Sequence, residues 1–396
     1  LSLRLGEAIG GTPDTRTWDL SVLVTSAARG TPGSTAFPTP LARQDDRRVV
    51  AAVTLQRTSG DRTDRWRLTA HLDHLAYRDP TWGIDDRHDA ATWGGEWLRT
   101  LRLSDRRVVA IGADASAQQL SSTSVGARAA TVGAFYLQDD RALSERLVLS
   151  SGLRADWHSV YGAQINPRIG LVYLARPDLR LRLAGGRTYR GPTFADLYYP
   201  FDGFAVGNPS LRPESAWSVD AGLEASIRPG LVLRAAAFWS DVRDLIVWVP
   251  DAMFVFSPQN IGTASVAGGS IELDGVLSSR WRGRGSLTVM RARDAATGFD
   301  LPYRPRVFGS LFLTRSLVRG GSLTASAVLA GERFADPGNT VRLPAYLTAA
   351  LTAQMPLFDG LTLRATVQNL FDARYEPVQG YPAPGRTVYV EMVWRQ

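Results

Sequence analysis

The sequence predicts an all-β protein, a transmembrane antiparallel β-barrel, and three observations carry that prediction. Apolar and polar residues alternate with a period of two, in segments of roughly ten residues. The connections alternate between short turns and longer loops. Aromatic residues gather near segment ends, among them Trp66, Trp97, Trp157, Tyr173, Trp239, Trp248 and Trp394. Short periplasmic turns, long extracellular loops and aromatic girdles are what an outer-membrane barrel requires. A closed barrel also pairs every backbone group inside hydrocarbon, where no water can.

About nineteen such segments follow one another, each long enough to span a bilayer as a tilted strand. They lie near 1–9, 16–27, 47–58, 62–77, 91–103, 105–116, 127–138, 145–157, 164–175 and 178–186. The remainder lie near 214–227, 229–248, 262–279, 281–294, 303–316, 320–331, 342–355, 360–370 and 385–395. In the fourth, Trp66, Leu68, Ala70 and Leu72 oppose Arg67, Thr69, His71 and Asp73. In the eighth, Leu147, Leu149, Leu153 and Trp157 oppose Arg146, Ser150, Arg154 and Asp156. Near the end, Leu361, Leu363, Ala365 and Val367 oppose Thr362, Arg364, Thr366 and Gln368. The last segment sets Val388, Val390, Met392 and Trp394 toward lipid and Thr387, Tyr389, Glu391 and Val393 toward the lumen. Turns such as TSGD, LSD, ARPD, IRPG and PLFDG are short. Longer loops are expected near 28–46, 79–90, 117–126, 158–163, 187–213, 249–261, 295–302, 332–341 and 371–384.

Composition narrows the function classes. The chain has 396 residues, 44% hydrophobic and 21% charged, with a net charge of +7. Lysine is absent, so all 45 basic residues are arginine, and they are scattered without a basic tract. That scatter argues for balanced ion pairs and against nucleic-acid binding. With no cysteine, disulfides and thiolate metal sites are excluded. No apolar run reaches the roughly 18 residues of a transmembrane helix. The opening LSLRLGEAIG lacks a signal-peptide layout, so the expectation is a cytosolic protein or one whose N-terminus is missing.

Two clusters invite chemical readings. HLDH (71–74) puts His71 and Asp73 on the lumen face and His74 toward lipid. A hydrolase dyad or metal site is the sharper reading and an ordinary lumen polar pair the plainer one. RDPTWGIDDRHDA (78–90) gathers Asp79, Asp85, Asp86 and Asp89 in an expected loop. Such oxygen-rich loops can hold calcium, although the spacing is not that of an EF-hand and a solvated acidic loop is the plainer reading.

Several stretches resemble the barrel of TonB-dependent outer-membrane receptors. GGRTYRGPTFADLYYPFDGFAVGNPSLRPESAWSVDAGLE (185–224) resembles the mid-barrel signature, and AFWSDVRDLIVW (237–248) the next long hairpin. PQNIGTASVAGGSIELDG (258–275) and LPYRPRVFGSLFL (301–313) are similar to the segments that follow it. NLFDARYEPVQGYPAPGR (369–386) resembles the family's last hairpin loop. The resemblance is close over 164–396 and a matter of pattern before that. Within the family, the last hairpin and PGSTAFPTPLARQDDRR (32–48) look most like the cobalamin (vitamin B12) receptor branch.

The resemblance implies a 22-stranded barrel enclosing a plug. Residues 1–396 would form one N-terminally truncated barrel domain of about nineteen strands, with the plug absent. Counting back from a periplasmic C-terminus calls for an odd number of earlier strands, and about three would complete the family count. The implied function is TonB-driven import of a scarce large ligand across a Gram-negative outer membrane by a monomer, with lipid, TonB and the ligand as partners and no enzymatic activity. Cobalamin is the first ligand expected and a ferric siderophore the alternative. A passive porin-like channel and an outer-membrane enzyme at His71 and Asp73 are the rivals.

Tyr198, Tyr199, Phe201 and Tyr381 are the candidate ligand contacts. The cobalamin branch also strengthens a calcium reading of the Asp79–Asp89 stretch. No histidine follows His158, which weighs against a haem ligand, and GNPSLRPES (207–215) reads as structural through Pro209 and Pro213. Arg154, Arg182, Arg234 and Arg364 are expected to face the plug and pair with its acids.

Overall fold

A computed structural model of the chain describes residues 2–9, 14–251, 253, 255–358 and 360–394. The first ten strands are β1 (Ser2–Ile9), β2 (Asp14–Gly30), β3 (Arg43–Ser59), β4 (Arg62–Asp79), β5 (Ile84–Ser104), β6 (Arg107–Ser122), β7 (Gly126–Ser144), β8 (Leu147–His158), β9 (Gly162–Arg176) and β10 (Leu179–Arg190). A short helix α1 (Phe194–Tyr198) precedes β11 (Glu214–Arg228), β12 (Leu231–Pro250), β13 (Phe256–Ser278), β14 (Trp281–Asp294), β15 (Val307–Ser316) and β16 (Ser322–Ala330). The small strands β17 (Arg333–Phe334) and β18 (Arg342–Leu343) pair with each other. The chain then closes with β19 (Tyr346–Phe358), β20 (Leu361–Gln368) and β21 (Thr387–Trp394). Among the described residues nineteen strands belong to one sheet, and the described registers join successive strands antiparallel, with β16 pairing β19 past the small β17–β18 pair. Among the described residues no helix is long and apolar enough to cross a membrane.

The chain divides into two compact units. One comprises Leu1–Leu171, Ala184–Trp217 and Val242–Gly262, and the other Val172–Leu183, Ser218–Asp241 and Thr263–Gln396. In the first unit the register stacks alternate residues into two unlike faces. One face carries exposed Leu68, Trp93, Phe135 and Trp157. The other carries a hydrogen-bonded polar ladder. Arg65 donates to Glu96 (3.4 Å), Tyr136 Oη donates to the same carboxylate (2.7 Å), and Arg154 reaches Asp114 (2.7 Å) and Asp156 (2.8 Å). In the second unit Val388, Val390, Met392 and Trp394 lie opposite Val367, Ala365, Leu363 and Leu361, as the alternation predicts.

Each of the nineteen expected segments corresponds to one strand of the sheet, but several of the expected loops are partly strand, 249–261 included, where β12 runs to Pro250 and β13 starts at Phe256. Over 79–90, 117–126 and 158–163 the ladder continues to Asp79, Ser122 and His158. It resumes at Ile84, Gly126 and Gly162, leaving turns of three or four residues. The hairpins rise past the point where one face is apolar. There both faces meet water, so the period-two signal fades while the backbone hydrogen bonds persist.

The lumen arginines expected to face a plug each also find acids on the sheet itself. Arg154 bridges Asp114 and Asp156, Arg234 bridges Glu224 and Glu272, Arg182 lies 4.0 Å from Glu224, and Arg364 meets Glu391 at 3.2 Å.

Candidate functional site

The most built feature outside the sheet is α1 and its loop, residues 191–213. The helix starts at Thr193, whose Oγ1 accepts from the Asp196 backbone N–H (3.1 Å). The Asp196 carboxylate accepts in return from the Thr193 N–H (2.9 Å). This Thr-x-x-Asp capping box was present in the sequence as a helix-start signal. Asp196 is buried and also accepts from Trp248 Nε1 (3.1 Å), which ties α1 to β12. Trp248, expected as an interfacial aromatic, therefore serves the loop.

The candidate ligand aromatics hang from this anchor. Tyr198 stacks on Phe194, and the Arg128 guanidinium lies 4.7 Å from its ring centre. Tyr199 packs edge-on against Trp248 and donates its hydroxyl proton to Asp202 (3.1 Å). Asp202 also accepts from the backbone N–H groups of Phe204 and Ala205, both at 2.8 Å, which holds its carboxyl below the usual range. The resulting turn presents Phe201 and Phe204 to solvent, 65% and 76% exposed. Gly207 is required here, because a Cβ would sit 2.5 Å from the Tyr199 nitrogen.

The stretch 207–215 is structural, as its prolines suggested, and its partner is the PQN of 258–260. Asn208 Nδ2 donates to the Pro258 carbonyl (3.0 Å), and the Arg212 N–H donates to Asn260 Oδ1 (2.8 Å). Asn260 Nδ2 donates to the carbonyls of Arg212 (2.9 Å) and Asp244 (2.8 Å). Arg212 and Asp244 close the lock with an ion pair at 2.7 Å.

In the second unit the last hairpin loop is held from two directions. Asn369, in a left-handed conformation, donates to the carbonyls of Ala373 (2.9 Å) and Pro384 (3.2 Å) and accepts from the Ala373 N–H. Buried Arg333 donates to the carbonyls of Glu376 (2.6 Å) and Pro377 (2.9 Å) and lies over Tyr346, which stacks on Tyr375 at 4.1 Å. Tyr381 is half exposed on this loop and belongs to this unit, apart from Tyr198, Tyr199 and Phe201 in the other.

The four candidate calcium ligands do not converge. Register places Asp79 and Asp86 on one face of the β4–β5 hairpin and Asp85 and Asp89 on the other. Asp85 is held by Arg78 (3.5 Å) and Arg87 (3.0 Å), and Asp89 by His74 Nδ1 (2.7 Å). Thr123 Oγ1 donates to Asp86 (3.1 Å), and the Thr81 N–H donates to buried Asp79 (2.9 Å). Among the described residues no group of three or more His, Asp or Glu side chains is arranged for a metal. In HLDH, the Asp73 carboxylate is engaged by Arg48 of β3, and His74 points away from His71 and Asp73.

A long antiparallel strand ladder with one apolar face and one charged face is the architecture of a membrane β-barrel. The family model described as TonB dependent receptor-like, beta-barrel matches residues 5–370, and the chain belongs to that family. The vitamin B12 transporter BtuB of Vibrio vulnificus (strain YJ016) is 27% identical over 331 residues, 78% of this chain and 50% of the relative. The metal-pseudopaline receptor CntO of Pseudomonas aeruginosa PAO1 is 27% identical over 223 residues, 53% of this chain and 30% of the relative. The chain thus spans about half or less of the length of the curated relatives it matches.

Among solved structures, a variant of the ferric enterobactin receptor PfeA from Pseudomonas aeruginosa superposes with a TM-score of 0.81 at 18% identity. The match covers 99% of this chain and 69% of that one. The siderophore receptor PirA from Acinetobacter baumannii gives 0.79 at 15%, covering 99% and 70%. The fold is that of these receptors' barrels.

Proposed function

We propose that this chain is the barrel of an outer-membrane receptor that takes up a scarce, large ligand with energy supplied through TonB. The observation that carries the reading is the α1 loop, an exposed aromatic platform fixed by Asp196, Trp248 and Asp202 on a barrel of this family. Rigid aromatics supply large contact area at little entropic cost, which suits capture of a bulky ligand at low concentration. Tyr198, Tyr199, Phe201 and Tyr381 are the proposed contacts. The protein binds and translocates without making or breaking bonds, and it acts as a monomer in lipid.

Cobalamin is the first ligand proposed, supported by the BtuB relatives. A ferric siderophore is the second reading, favoured by the PfeA and PirA likeness. Uptake decides between them. The receptor gene is expressed in a Gram-negative strain lacking its own cobalamin and siderophore receptors, with and without TonB. TonB-dependent accumulation of labelled cobalamin supports the first reading, and accumulation of a ferric siderophore alone replaces it with the second. Uptake of small solutes that persists without TonB would establish the passive channel instead.

A further inference from the structure

The turn between β8 and β9 is built around the one histidine that lies outside β4 and β5. His158 ends β8, just beyond the interfacial Trp157, and is only 8% exposed. Its Nδ1 accepts a hydrogen bond from the Val160 N–H (3.1 Å), which fixes the proton of the neutral ring on Nε2. The same ring stacks on Tyr161, with centres 3.8 Å apart and planes 10° from parallel. Two further bonds tie the turn to β7. The Ser159 N–H donates to the Thr131 carbonyl (2.9 Å), and the Thr131 N–H donates to Ser159 Oγ (3.0 Å).

Tyr161 carries the state of this turn to the α1 loop. Its ring meets Tyr189 of β10 edge-on at 6.3 Å, and its hydroxyl lies against Gly191, the first residue after β10. A Cβ at Gly191 would fall 2.4 Å from that oxygen, so glycine is what lets phenol and backbone come this close. From Gly191 the chain runs straight into the Thr193 cap and α1. Burial first, then Tyr189 and Asp156, push the Tyr161 phenol up to about 12, so it stays uncharged while an imidazole titrates. Burial pushes the His158 imidazole below its usual range. The charged groups around it are engaged elsewhere. On β7 the neighbours Thr131 and Val132 carry no charge. Asp156 of β8 accepts from Arg154 (2.8 Å) and Asn166 (3.1 Å). Arg187 of β10 donates to Gln164 and to the Ile165 carbonyl, both at 2.9 Å, and Arg190 pairs with Glu214 at 2.7 Å.

We propose that the β8–β9 turn is a pH-sensitive latch on the α1 loop. With His158 neutral, Tyr161 is pinned against Gly191 and the aromatic platform is held. A proton on Nδ1 sets two hydrogens against each other, the ring's own and that of the Val160 N–H. It also places a charge in a buried site where the acid of the same strand is already taken. The turn then lets go, and the platform loosens. The closed turn binds this proton more weakly than the open one does. The latch is therefore complete above the ordinary histidine range and is lost as pH falls from that range toward the lowered value. It rests on the proposed function only for what the loop carries, not for whether the loop opens.

The test is hydrogen exchange of the purified receptor in lipid nanodiscs, each rate taken relative to the intrinsic amide rate at that pH. Between about pH 7.5 and about pH 5 the wild type is expected to lose protection at least threefold, at Val160 and at the amides of 191–199. Asp202 titrates below this window, so its own effect at Phe204 and Ala205 is separate. In His158→Asn the side-chain oxygen still accepts the Val160 N–H, as in an Asx turn, but nothing titrates. Protection at both places should then be flat with pH. Tyr161→Leu should keep the pH response at Val160 and lose it at 191–199. The other three histidines, His71, His74 and His88, remain in every variant. A flat wild type would overturn the proposal. So would a pH response that survives in His158→Asn, or a loop response that survives in Tyr161→Leu. No ligand is added, so a failed transport assay leaves this result standing on its own.

Discussion

Asn369 adopts φ 47°, and its side chain repays that strain with three hydrogen bonds that close the start of the last hairpin loop. Replacing it with alanine removes those bonds from a buried position. Asn369→Ala is expected to destabilise the loop by about 2 kcal/mol. The effect would be read as faster hydrogen exchange at the amides of 372–386 with the sheet amides unchanged, and unaltered loop exchange would refute it. Asp202 makes a pH prediction. Its carboxyl is held below the usual range by the Phe204 and Ala205 N–H groups, so it binds protons more weakly folded than unfolded. Its contribution to loop order is therefore complete above the ordinary carboxylate range and is lost as pH falls through the lowered value. Loop exchange at Phe204 and Ala205, taken relative to the intrinsic amide rate at each pH, should rise on acidification in wild type. In Asp202→Asn it should be raised at every pH and flat.

At the scale of elements, the strand faces make opposite predictions for adjacent residues. Leu68 is outward and 66% exposed, whereas Thr69 belongs to the lumen face. Leu68→Arg should cost about 2–4 kcal/mol if it lies near the bilayer midplane, whereas an arginine at Thr69 joins a polar face and should be nearly neutral. Urea unfolding in lipid vesicles distinguishes the two, and equal costs would mean the faces are misassigned. The helix α1 depends on one cap, and Thr193→Ala is expected to cost about 1 kcal/mol. The change should appear as weaker ligand binding with the barrel's thermal unfolding unchanged. All nineteen strands of the sheet were legible in the sequence, because lipid on one side and water on the other impose a strict alternation. Their outer ends were not. Beyond the bilayer both faces are wet, so Arg78, Asp85 and Arg87 look like loop residues while still pairing in a ladder.

For the whole molecule, ligand capture and barrel stability should be separable. Shortening 199–206 to a two-glycine turn is expected to abolish saturable uptake while leaving folding in lipid intact; retained uptake would move the site off this loop. By itself, the sequence determined the all-β class, the number of sheet strands, which side chains share a face at 361–367 and 388–394, and the family. All of these follow from local alternation and short motifs. The tertiary structure alone decided what converges. It split Asp79 and Asp86 from Asp85 and Asp89, gave Arg154 and Arg234 acids on the sheet, and joined Asp196 to Trp248 and Asn208 to Pro258. Those partners are separated by tens of residues. Their meeting depends on strand register and on where each turn falls, and a one-residue slip in either would send every side chain to the opposite face.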